Sequence, residues 1–299
     1  MRTTMFRGLA GRGLSLAARI ALFAFAAPAT LPYGPAFAQD TRPVPASVRI
    51  YVFDNGTIKG LAPALFNFKP EELARTDLVL ASYLIVHPKG TLMFDSGGIP
   101  DAAFPAGGGP AKDGFMSATK PLRPQLAAIG YKPSDITYFA LSHYHSDHTG
   151  NANDFAGATW IVQKAERDYM FSDDPDGIIE PAQFAALENA KTKILDNESF
   201  DVFGDGTVVV MPAPGHTPGH QVVAVKLAHA GTVVLAGDLY HYPEERATGR
   251  IPTFEADPEA SKASRAMIEA YLKEHDATLW IEHDLATFEK LPKAPAFVD

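Results

Sequence analysis

Short apolar runs separated by turn residues dominate the chain after about residue 47. The run from Leu78 to Val86 is continuously apolar, which is typical of a strand that is buried on both faces. Glycine, proline, aspartate or asparagine lies within two residues of the end of most of the runs, and the first run ends at the turn signal Asp54-Asn55-Gly56. The pattern predicts strands over residues 48–53, 78–86, 91–94, 136–141, 158–162, 200–203, 207–211, 221–227, 232–235 and 278–281.

Helical spacing of apolar residues appears between these runs. Leu122, Leu126 and Ile129 fall on one helical face. We predict helices over residues 120–129, 164–171, 182–191 and 258–273, the last with a buried stripe of Met267, Ile268, Tyr271 and Leu272. Residues 99–116 have neither period and are predicted to form a long loop, which in a compact enzyme is commonly a lid or a binding loop.

The first 38 residues have the composition of a secretory signal. An apolar segment, residues 14–27, is followed by the small-x-small cleavage pattern Ala36-Phe37-Ala38. Residues 1–38 contain no acidic residue but four arginines: Arg2, Arg7, Arg12 and Arg19. The apolar part is too short to span a bilayer. We therefore predict cleavage after residue 38, no stable membrane insertion afterwards, and a single domain over residues 39–299 that is periplasmic or secreted.

Charge and cysteine content exclude several classes of function. The chain has no cysteine, so it has no disulfide, thiolate metal site or cysteine nucleophile. Its net charge is −9, and removal of the arginine-containing signal makes it more negative. An acidic surface repels phosphate backbones, so we expect no nucleic-acid partner.

Ligand-type side chains are concentrated in residues 142–150, directly after an apolar run. His143 and His145 are two positions apart, so in an extended chain they project to the same side and can bind one ion. Asp147 and His148 need the chain to turn, which lets them face a second ion. Imidazole and carboxylate groups this close repel one another without a cation, so the pattern favours a metal site over an exposed polar loop.

The same order of strand, abrupt turn and ligand-type residue recurs later in the chain. His216 follows the strand predicted over 207–211, Asp238 follows 232–235, and His283 follows 278–281. Chemistry in sheet proteins is commonly located at such strand ends. We therefore expect these three side chains to join the first cluster.

The series His143-x-His145-x-Asp147-His148, followed by His216, Asp238 and His283, resembles the metallo-β-lactamase superfamily over essentially the whole of residues 39–299. The resemblance implies an α+β fold, a four-layer αβ/βα sandwich of two packed sheets with helices outside. It also implies that Asp95 supports the site from behind its ligands. The implied metal ligands are His143, His145 and His216 for one ion, Asp147, His148 and His283 for the other, and Asp238 bridging both.

Two divalent ions at these ligands would lower the pKa of a water shared between them. We expect zinc, and manganese, iron, cobalt and nickel are also compatible with these ligands. The resulting hydroxide could attack a carbonyl carbon or a phosphorus, with Asp147 carrying the proton away. The oxygen-reducing branch of the superfamily has a glutamate where His145 stands, so the resemblance favours hydrolysis. A serine hydrolase has no support, because the sequence has no Gly-x-Ser-x-Gly motif.

Within the superfamily the chain most resembles the N-acyl homoserine lactonases, through residues 142–150 and 238–243. Those enzymes usually have a tyrosine three residues after the bridging aspartate, where its hydroxyl helps to protonate the leaving alkoxide. His241 stands there, flanked by Tyr240 and Tyr242, and a histidine can donate the same hydrogen bond. The resemblance thus makes His241 and Tyr240, with Asp147, the candidate catalytic residues.

The expected substrate is a small lactone or ester, with N-acyl homoserine lactones favoured. Two alternatives stay open: an organophosphate, aryl ester or β-lactam hydrolase on the same site, and a zinc-binding protein without hydrolase activity. Relatives are often dimers, so a homodimer is compatible with the resemblance. A group of apolar residues could wall an acyl pocket or be ordinary packing: Phe66, Phe68, Phe104, Phe115 and Met116.

The remaining ligand-type residues are expected to have other roles. We expect His220 to brace the turn at residues 215–219. His87, His229 and His275 are expected to be solvated. Residues 173–177 are predicted to be an acidic turn, because the ligand series of a calcium loop is missing.

Overall fold

The computed structural model describes residues 44–173, 175 and 177–299. These residues belong to one compact unit that spans Arg42–Asp299. The predicted signal segment lies outside the described residues, as do Asp174 and Asp176 of the predicted acidic turn. Within the described part of the chain, no helix has the length and apolar character needed to cross a membrane.

Thirteen strands and seven α-helices lie within the described residues. The strands are β1 (Arg49–Ile58), β2 (Leu78–His87), β3 (Gly90–Phe94), β4 (Ala111–Asp113), β5 (Met116–Ala118), β6 (Tyr138–Ala140), β7 (Thr159–Gln163), β8 (Thr192–Leu195), β9 (Phe200–Asp201), β10 (Val208–Pro212), β11 (Gln221–Lys226), β12 (Thr232–Leu235) and β13 (Thr278–Trp280). The helices are α1 (Leu122–Ala128), α2 (Ser146–Thr149), α3 (Lys164–Met170), α4 (Pro181–Phe184), α5 (Pro243–Thr248), α6 (Pro258–Glu274) and α7 (Leu285–Lys290).

The strands form two sheets. The first sheet has the order β4-β5-β1-β2-β3-β6-β7-β8, antiparallel as far as β3 and parallel from β3 to β8. The second has the order β13-β12-β11-β10-β9, antiparallel except for the parallel pair of β12 and β13. The strands β10, β12 and β13 therefore run in one direction and end at the same edge.

Three large apolar clusters define the layers. One cluster combines first-sheet residues such as Ile85 and Phe94 with second-sheet residues such as Val210 and Val223, so the two sheets pack face to face. A second cluster joins the other face of the first sheet to Leu126 of α1 and to parts of α3 and α4, and a third joins the second sheet to α6. The predicted four-layer αβ/βα sandwich is confirmed.

Several predicted elements need correction. The turn predicted at residues 54–56 is instead a bulge inside β1, with Gly56 at a φ of +113°. A Cβ at Gly56 would lie 2.2 Å from the carbonyl oxygen of Ser117, so only glycine fits there. The loop predicted over residues 99–116 contains the short strand β4 and ends where β5 begins, and these two strands pair with each other and extend the sheet beside β1.

Differences of helix and strand also occur in the second half of the chain. The helix predicted over 182–191 is α4 followed by a 3-10 helix, Ala185–Asn189, and β8, α5 and α7 were not predicted. On α6 the buried stripe includes Ile268 and Leu272, whereas Met267 is 45% exposed. α6 begins where Asp257 accepts hydrogen bonds from the backbone amides of Glu259 and Ala260.

Candidate metal centre

The strand ends bring all seven predicted ligand residues together. These seven side chains form two groups, each with ligand atoms within 4.8 Å of one another, and both groups contain Asp238. The groups are His143, His145, His216 and Asp238, and Asp147, His148, Asp238 and His283. Each group draws two residues from the loop after β6 and two from loops of the second sheet. The two sheets thus meet at the candidate site.

Local backbone structure explains why neighbouring residues face different groups. The backbone at His145 is extended, with φ −61° and ψ 147°, and α2 begins at Ser146. His143 and His145 therefore precede the helix and face one group, whereas Asp147 and His148 project from its first turn toward the other. This is the turn that the sequence predicted.

In the first group the imidazole nitrogens face one another across a short gap. His145 Nδ1 lies 3.0 Å from His216 Nε2. Asp238 Oδ2 lies 3.3 Å from His216 Nε2 and 3.6 Å from His143 Nε2. Three ring nitrogens and one carboxylate oxygen thus converge, as a tetrahedral nitrogen and oxygen site requires.

The second group is built around the other oxygen of the same carboxylate. Asp238 Oδ1 lies 3.2 Å from His148 Nε2 and 3.0 Å from His283 Nε2. Asp147 Oδ2 lies 3.5 Å from each of these two nitrogens. Because Asp238 presents one oxygen to each group, its carboxylate is placed as a bridge.

Unpaired buried atoms show that this donor set fits cations. His143 Nε2, His148 Nε2 and Asp238 Oδ1 are buried and have no hydrogen-bond partner among the residues that the structure describes. Leaving such groups unpaired is costly. Burial, together with neighbouring imidazoles, lowers the pKa of His143 and of His145 well below the usual value, which favours the neutral ring that binds metals.

The far side of each remaining ring is held by a hydrogen-bond acceptor, which fixes the ring's orientation. His216 Nδ1 lies 3.1 Å from Glu255 Oε1, and His283 Nδ1 lies 2.7 Å from the carbonyl oxygen of Val79. His148 Nδ1 lies 3.2 Å from Asp95 Oδ2. Asp95 also accepts the backbone N–H of Ser142 at 2.6 Å, and so supports the cluster from behind as the resemblance implied.

The sequence did not predict four buried glutamates around the site: Glu255, Glu282, Glu166 and Glu245. Glu255 supports His216, and Glu282 Oε1 lies 3.3 Å from His148 Nδ1. Burial and the nearby Asp95 raise the pKa of Glu282 well above its ordinary value. Its position directly before His283 was the only sequence signal for it, and Glu255 had none.

The third of these, Glu166 of α3, ties two ligand loops together. It accepts the backbone N–H of Tyr144 and that of Gly219, both at 2.8 Å, and the hydroxyl of Thr217. Burial raises the pKa of Glu166 to about 7 against the opposing effect of these hydrogen bonds. The loops that contain His145 and His216 are therefore anchored to the same side chain.

The other histidine predictions can also be compared with the structure, and His229 and His275 are exposed as expected. His220 braces its turn as expected, since Nδ1 lies 3.0 Å from the carbonyl oxygen of Ala213 and Nε2 accepts the N–H of Asp238. The prediction that His87 is solvated is wrong. Its ring is buried against Phe203, 4.2 Å between centroids, with Nε2 3.1 Å from Asp205 Oδ2.

The two candidate residues after Asp238 point in different directions. His241 lines the cavity, with Nε2 3.1 Å from Asp238 Oδ2. Although burial opposes it, the carboxylates of Asp238 and Glu245 raise the pKa of His241 to about 10.

Tyr240 does not lie at the site, which corrects its predicted catalytic position. It packs with α6, its hydroxyl lies 3.2 Å from Glu269 Oε1, and it is not among the residues that line the cavity. The backbone at Tyr240 is extended, so successive side chains point to opposite sides.

A cavity of about 380 Å³ opens onto the ligand residues. Its lining includes His145 of the first group, Asp147 and His283 of the second, the shared Asp238, and His241. Apolar residues line most of the rest: Ile58, Leu61, Phe66, Leu78, Phe115, Met116, Ile178 and Phe254. Of the five residues proposed from the sequence as a pocket wall, Phe66, Phe115 and Met116 lie there, whereas Phe68 and Phe104 pack elsewhere.

The chain is similar to known proteins over most of its length. Residues 75–283 match the family model of the Metallo-beta-lactamase superfamily. The N-acyl homoserine lactonase AttM of Rhizobium radiobacter is 31% identical over 265 residues, which cover 84% of this chain and 98% of that protein. An N-acyl homoserine lactonase of Bacillus thuringiensis is 27% identical over 173 residues, 58% of this chain and 66% of that protein.

Solved structures show the same fold. A variant of AiiA from B. thuringiensis with N-decanoyl-L-homoserine bound at its active site has a TM-score of 0.69 and 21% identity, covering 84% of this chain and 98% of that one. AidC, described as a dizinc quorum-quenching lactonase, has a TM-score of 0.58 and 20% identity, covering 84% and 93%.

Proposed function

Because this chain belongs to the metallo-beta-lactamase superfamily, we propose that it is an exported, dinuclear metal-dependent hydrolase that opens lactone rings. N-acyl homoserine lactones are the leading substrates. The observation that carries the proposal is the placement of Asp238 between two groups of metal-binding side chains beside a largely apolar cavity.

His143, His145 and His216 would hold one cation, Asp147, His148 and His283 the other, and Asp238 both. Two divalent cations, which we propose to be zinc, supply Lewis acidity at the acyl oxygen and lower the pKa of an attacking water. This chain's own residues then have to orient the ester and move two protons.

Asp147 and His241 are placed for those proton transfers. Asp147 is half-buried and lines the cavity, so it can take the proton of the attacking water. His241 faces the same cavity from the other side of Asp238 and can donate a proton to the oxygen that leaves the acyl carbon. The products are a carboxylic acid and an alcohol, which in a lactone remain one molecule.

The shape and lining of the cavity support an acyl-chain substrate. Its volume falls within the range of small-molecule sites, and Phe66 and Phe254 line it while packing against His241. The similar proteins AttM and AiiA are named as N-acyl homoserine lactonases. A homoserine lactone ring at the carboxylates would leave its acyl chain against the apolar wall.

Turnover by the zinc-loaded protein tests the proposal. We expect proton release from N-acyl homoserine lactones, with a lower KM for longer acyl chains than for unsubstituted γ-butyrolactone. His216→Ala should abolish turnover by removing a ligand, whereas replacement of exposed His229 by alanine should not change it. Absence of lactone hydrolysis by metal-replete protein would overturn the proposal.

A second candidate function follows from the aromatic part of the cavity. Phe66, Phe115 and Phe254 line it and can pack against an aryl group. An aryl ester or an aryl phosphotriester is therefore the alternative substrate. A higher kcat/KM for paraoxon or a phenyl ester than for any lactone, measured with the same preparation, would favour this alternative. Hydrolysis of a chromogenic cephalosporin by that preparation would test the β-lactam alternative.

Export, periplasmic or secreted location and a homodimeric state are further parts of the proposal. Export is supported by the arginine-containing, acid-free sequence of residues 1–38 with its small-x-small pattern. Expression of the full chain in a Gram-negative host should give a periplasmic protein that begins at Gln39, as found by N-terminal sequencing. Light scattering of that product would determine whether it is a dimer.

A further inference from the structure

Glu245 is a buried carboxylate that contacts His241 from behind. It lies in the first turn of α5 and has no exposed surface. Its Oε1 is 3.3 Å from His241 Nδ1. Within the described part of the chain neither of these two atoms has a hydrogen-bond partner elsewhere, so each can be satisfied only by the other.

The second oxygen of Glu245 is held by α6. Arg265 Nη2 donates to Glu245 Oε2 at 2.8 Å. The guanidinium is itself fixed, because Nε donates to the carbonyl oxygen of Leu239, Nη1 donates to that of Arg250, and the group stacks 4.3 Å from the ring centroid of Tyr240. Glu245 is therefore fixed in place by a residue that is itself rigidly held.

The ring of His241 is restrained on its other sides as well. Phe66 and Phe254 pack edge-to-face against it, with centroids 5.0 Å and 5.5 Å away. Nε2 points to the cavity and to Asp238 Oδ2. A carboxylate facing Nδ1 keeps a hydrogen on that nitrogen, which leaves Nε2 as the atom that exchanges protons with a substrate.

We propose that Glu245, fixed by Arg265, is a positioning residue that aims Nε2 of His241 at the leaving oxygen. The proposal rests on the proposed function, in which His241 protonates that oxygen. Water adds to the acyl carbon, the bond from this carbon to the leaving oxygen breaks, and the leaving oxygen takes the proton from Nε2. The proton that the water loses passes through Asp147 to solvent, and a solvent proton returns to His241.

The test compares two esters with the same acyl group and different leaving groups. An alkoxide must be protonated as it leaves, whereas 4-nitrophenolate is stable without a proton. In the zinc-loaded Glu245→Gln variant we expect kcat for the alkyl ester or lactone to fall about 10- to 100-fold. The kcat for the nitrophenyl ester should fall less than about 3-fold, and the KM of each substrate should not change.

A second variant and a matched control guard against a folding effect. Glu245→Asp keeps a charge for Arg265 but withdraws the carboxylate from His241, and it should show the same dependence on the leaving group. Glu269→Gln is the control, since Glu269 also joins α5 to α6, through Arg246, but does not contact His241. Zinc content per chain should be equal in all of these proteins.

A double-mutant cycle completes the test. If Glu245 acts through His241, Glu245→Gln should cause no further loss in a His241→Gln background. Equal losses for the two leaving groups, or additive losses in the cycle, would overturn the positioning role while the hydrolase function stands. No hydrolysis of either ester by the native zinc-loaded protein would instead overturn the proposed function and this inference with it.

Discussion

Glu255 contacts the candidate metal centre through a single atom of His216. Its Oε1 lies 3.1 Å from Nδ1, and its other oxygen accepts the hydroxyl of Ser261. A carboxylate in this position orients the ring and makes it a stronger ligand, and removal of such a partner typically weakens metal binding about 10- to 100-fold. Glu255→Gln should therefore lower zinc affinity by about that factor, as measured by competition with a chromophoric chelator.

The matched control for this prediction is Glu259→Gln. Glu259 is the second residue of α6 and lies four residues after Glu255, but it is exposed and pairs with Lys262. The Glu259→Gln variant should bind zinc with the same affinity as the native protein. Equal affinity in the Glu255 and Glu259 variants would show that the His216 ring needs no carboxylate behind it.

At the scale of single residues, the sequence predicted the ligand residues that converge and, through the resemblance, the support from Asp95, but not the buried glutamates behind the ligands. His143 to His148 are close in sequence, and their spacing alone places them on adjacent faces. The supporting contacts of Glu255 and Glu166 join residues 39 and 53 positions apart along the chain, and no local pattern predicts them. Glu245 is only four residues from His241, but its contact with Arg265 of α6 is also distant in sequence. The prediction that Tyr240 is catalytic was wrong for a local reason, because in an extended segment only one of two adjacent side chains can face the cavity.

At the scale of elements, α3 is the connection between the two ligand loops. Gly219 approaches its backbone so closely that a Cβ would lie 2.4 Å from the amide nitrogen of Glu166. The carboxylate of Glu166 then accepts the amides of Tyr144 and Gly219. Glutamine could not accept both, so Glu166→Gln should destabilise the fold by about 1–3 kcal/mol.

The pH dependence of this destabilisation has a definite sign. The pKa of Glu166 is raised to about 7 in the folded state, above its ordinary value. Folding therefore favours the protonated acid, and this contribution is complete below the unfolded pKa and is lost as pH rises through about 7. The stability advantage of the native protein over Glu166→Gln should shrink by up to about 3 kcal/mol between about pH 5 and pH 8.

Urea unfolding of the zinc-saturated proteins at several pH values measures this difference. Glu188→Gln is a suitable control because Glu188 is exposed on the neighbouring 3-10 helix. Its effect on unfolding should be small and independent of pH. A constant gap between the native protein and Glu166→Gln across the range would contradict the prediction.

Elements were predictable where burial produced long apolar runs. β2, β7 and β11 match their runs closely, since their side chains are buried on both faces. The bulge of β1 was predicted as a turn, because its Gly56 has the same local signal in either setting. The hairpin of β4 and β5 has weak periodicity, since only two of its six side chains are buried, and it is recognisable as part of the sheet through the pairing of β5 with β1.

At the scale of the whole molecule, each ligand group spans the two sheets. The loop after β6 of the first sheet contributes His143 and His145 to one group and Asp147 and His148 to the other. Loops after strands of the second sheet contribute the rest. Strand direction made this possible, because β10, β12 and β13 end at one edge, and no local pattern in the sequence reports strand order or direction.

Cations bound in these groups would therefore cross-link the two sheets as well as serve catalysis. Ligands that bind only the folded state stabilise it by about 4 kcal/mol at a thousandfold excess over Kd, and 1 kcal/mol corresponds to roughly 2–4 °C in a domain of this size. Removal of metal by a chelator should thus lower the unfolding temperature by on the order of 10 °C. Calorimetry before and after dialysis, with zinc content measured in parallel, makes the comparison.

Restoring zinc should return the unfolding temperature to its original value. The same treatment of His216→Ala should cause a smaller change, because one of the two groups that join the sheets has already lost a ligand. An unfolding temperature that does not change on complete removal of zinc would mean that the apolar layer between the sheets holds them together unaided. The seven side chains would then meet for catalysis alone, and His216→Ala should lose activity without losing stability.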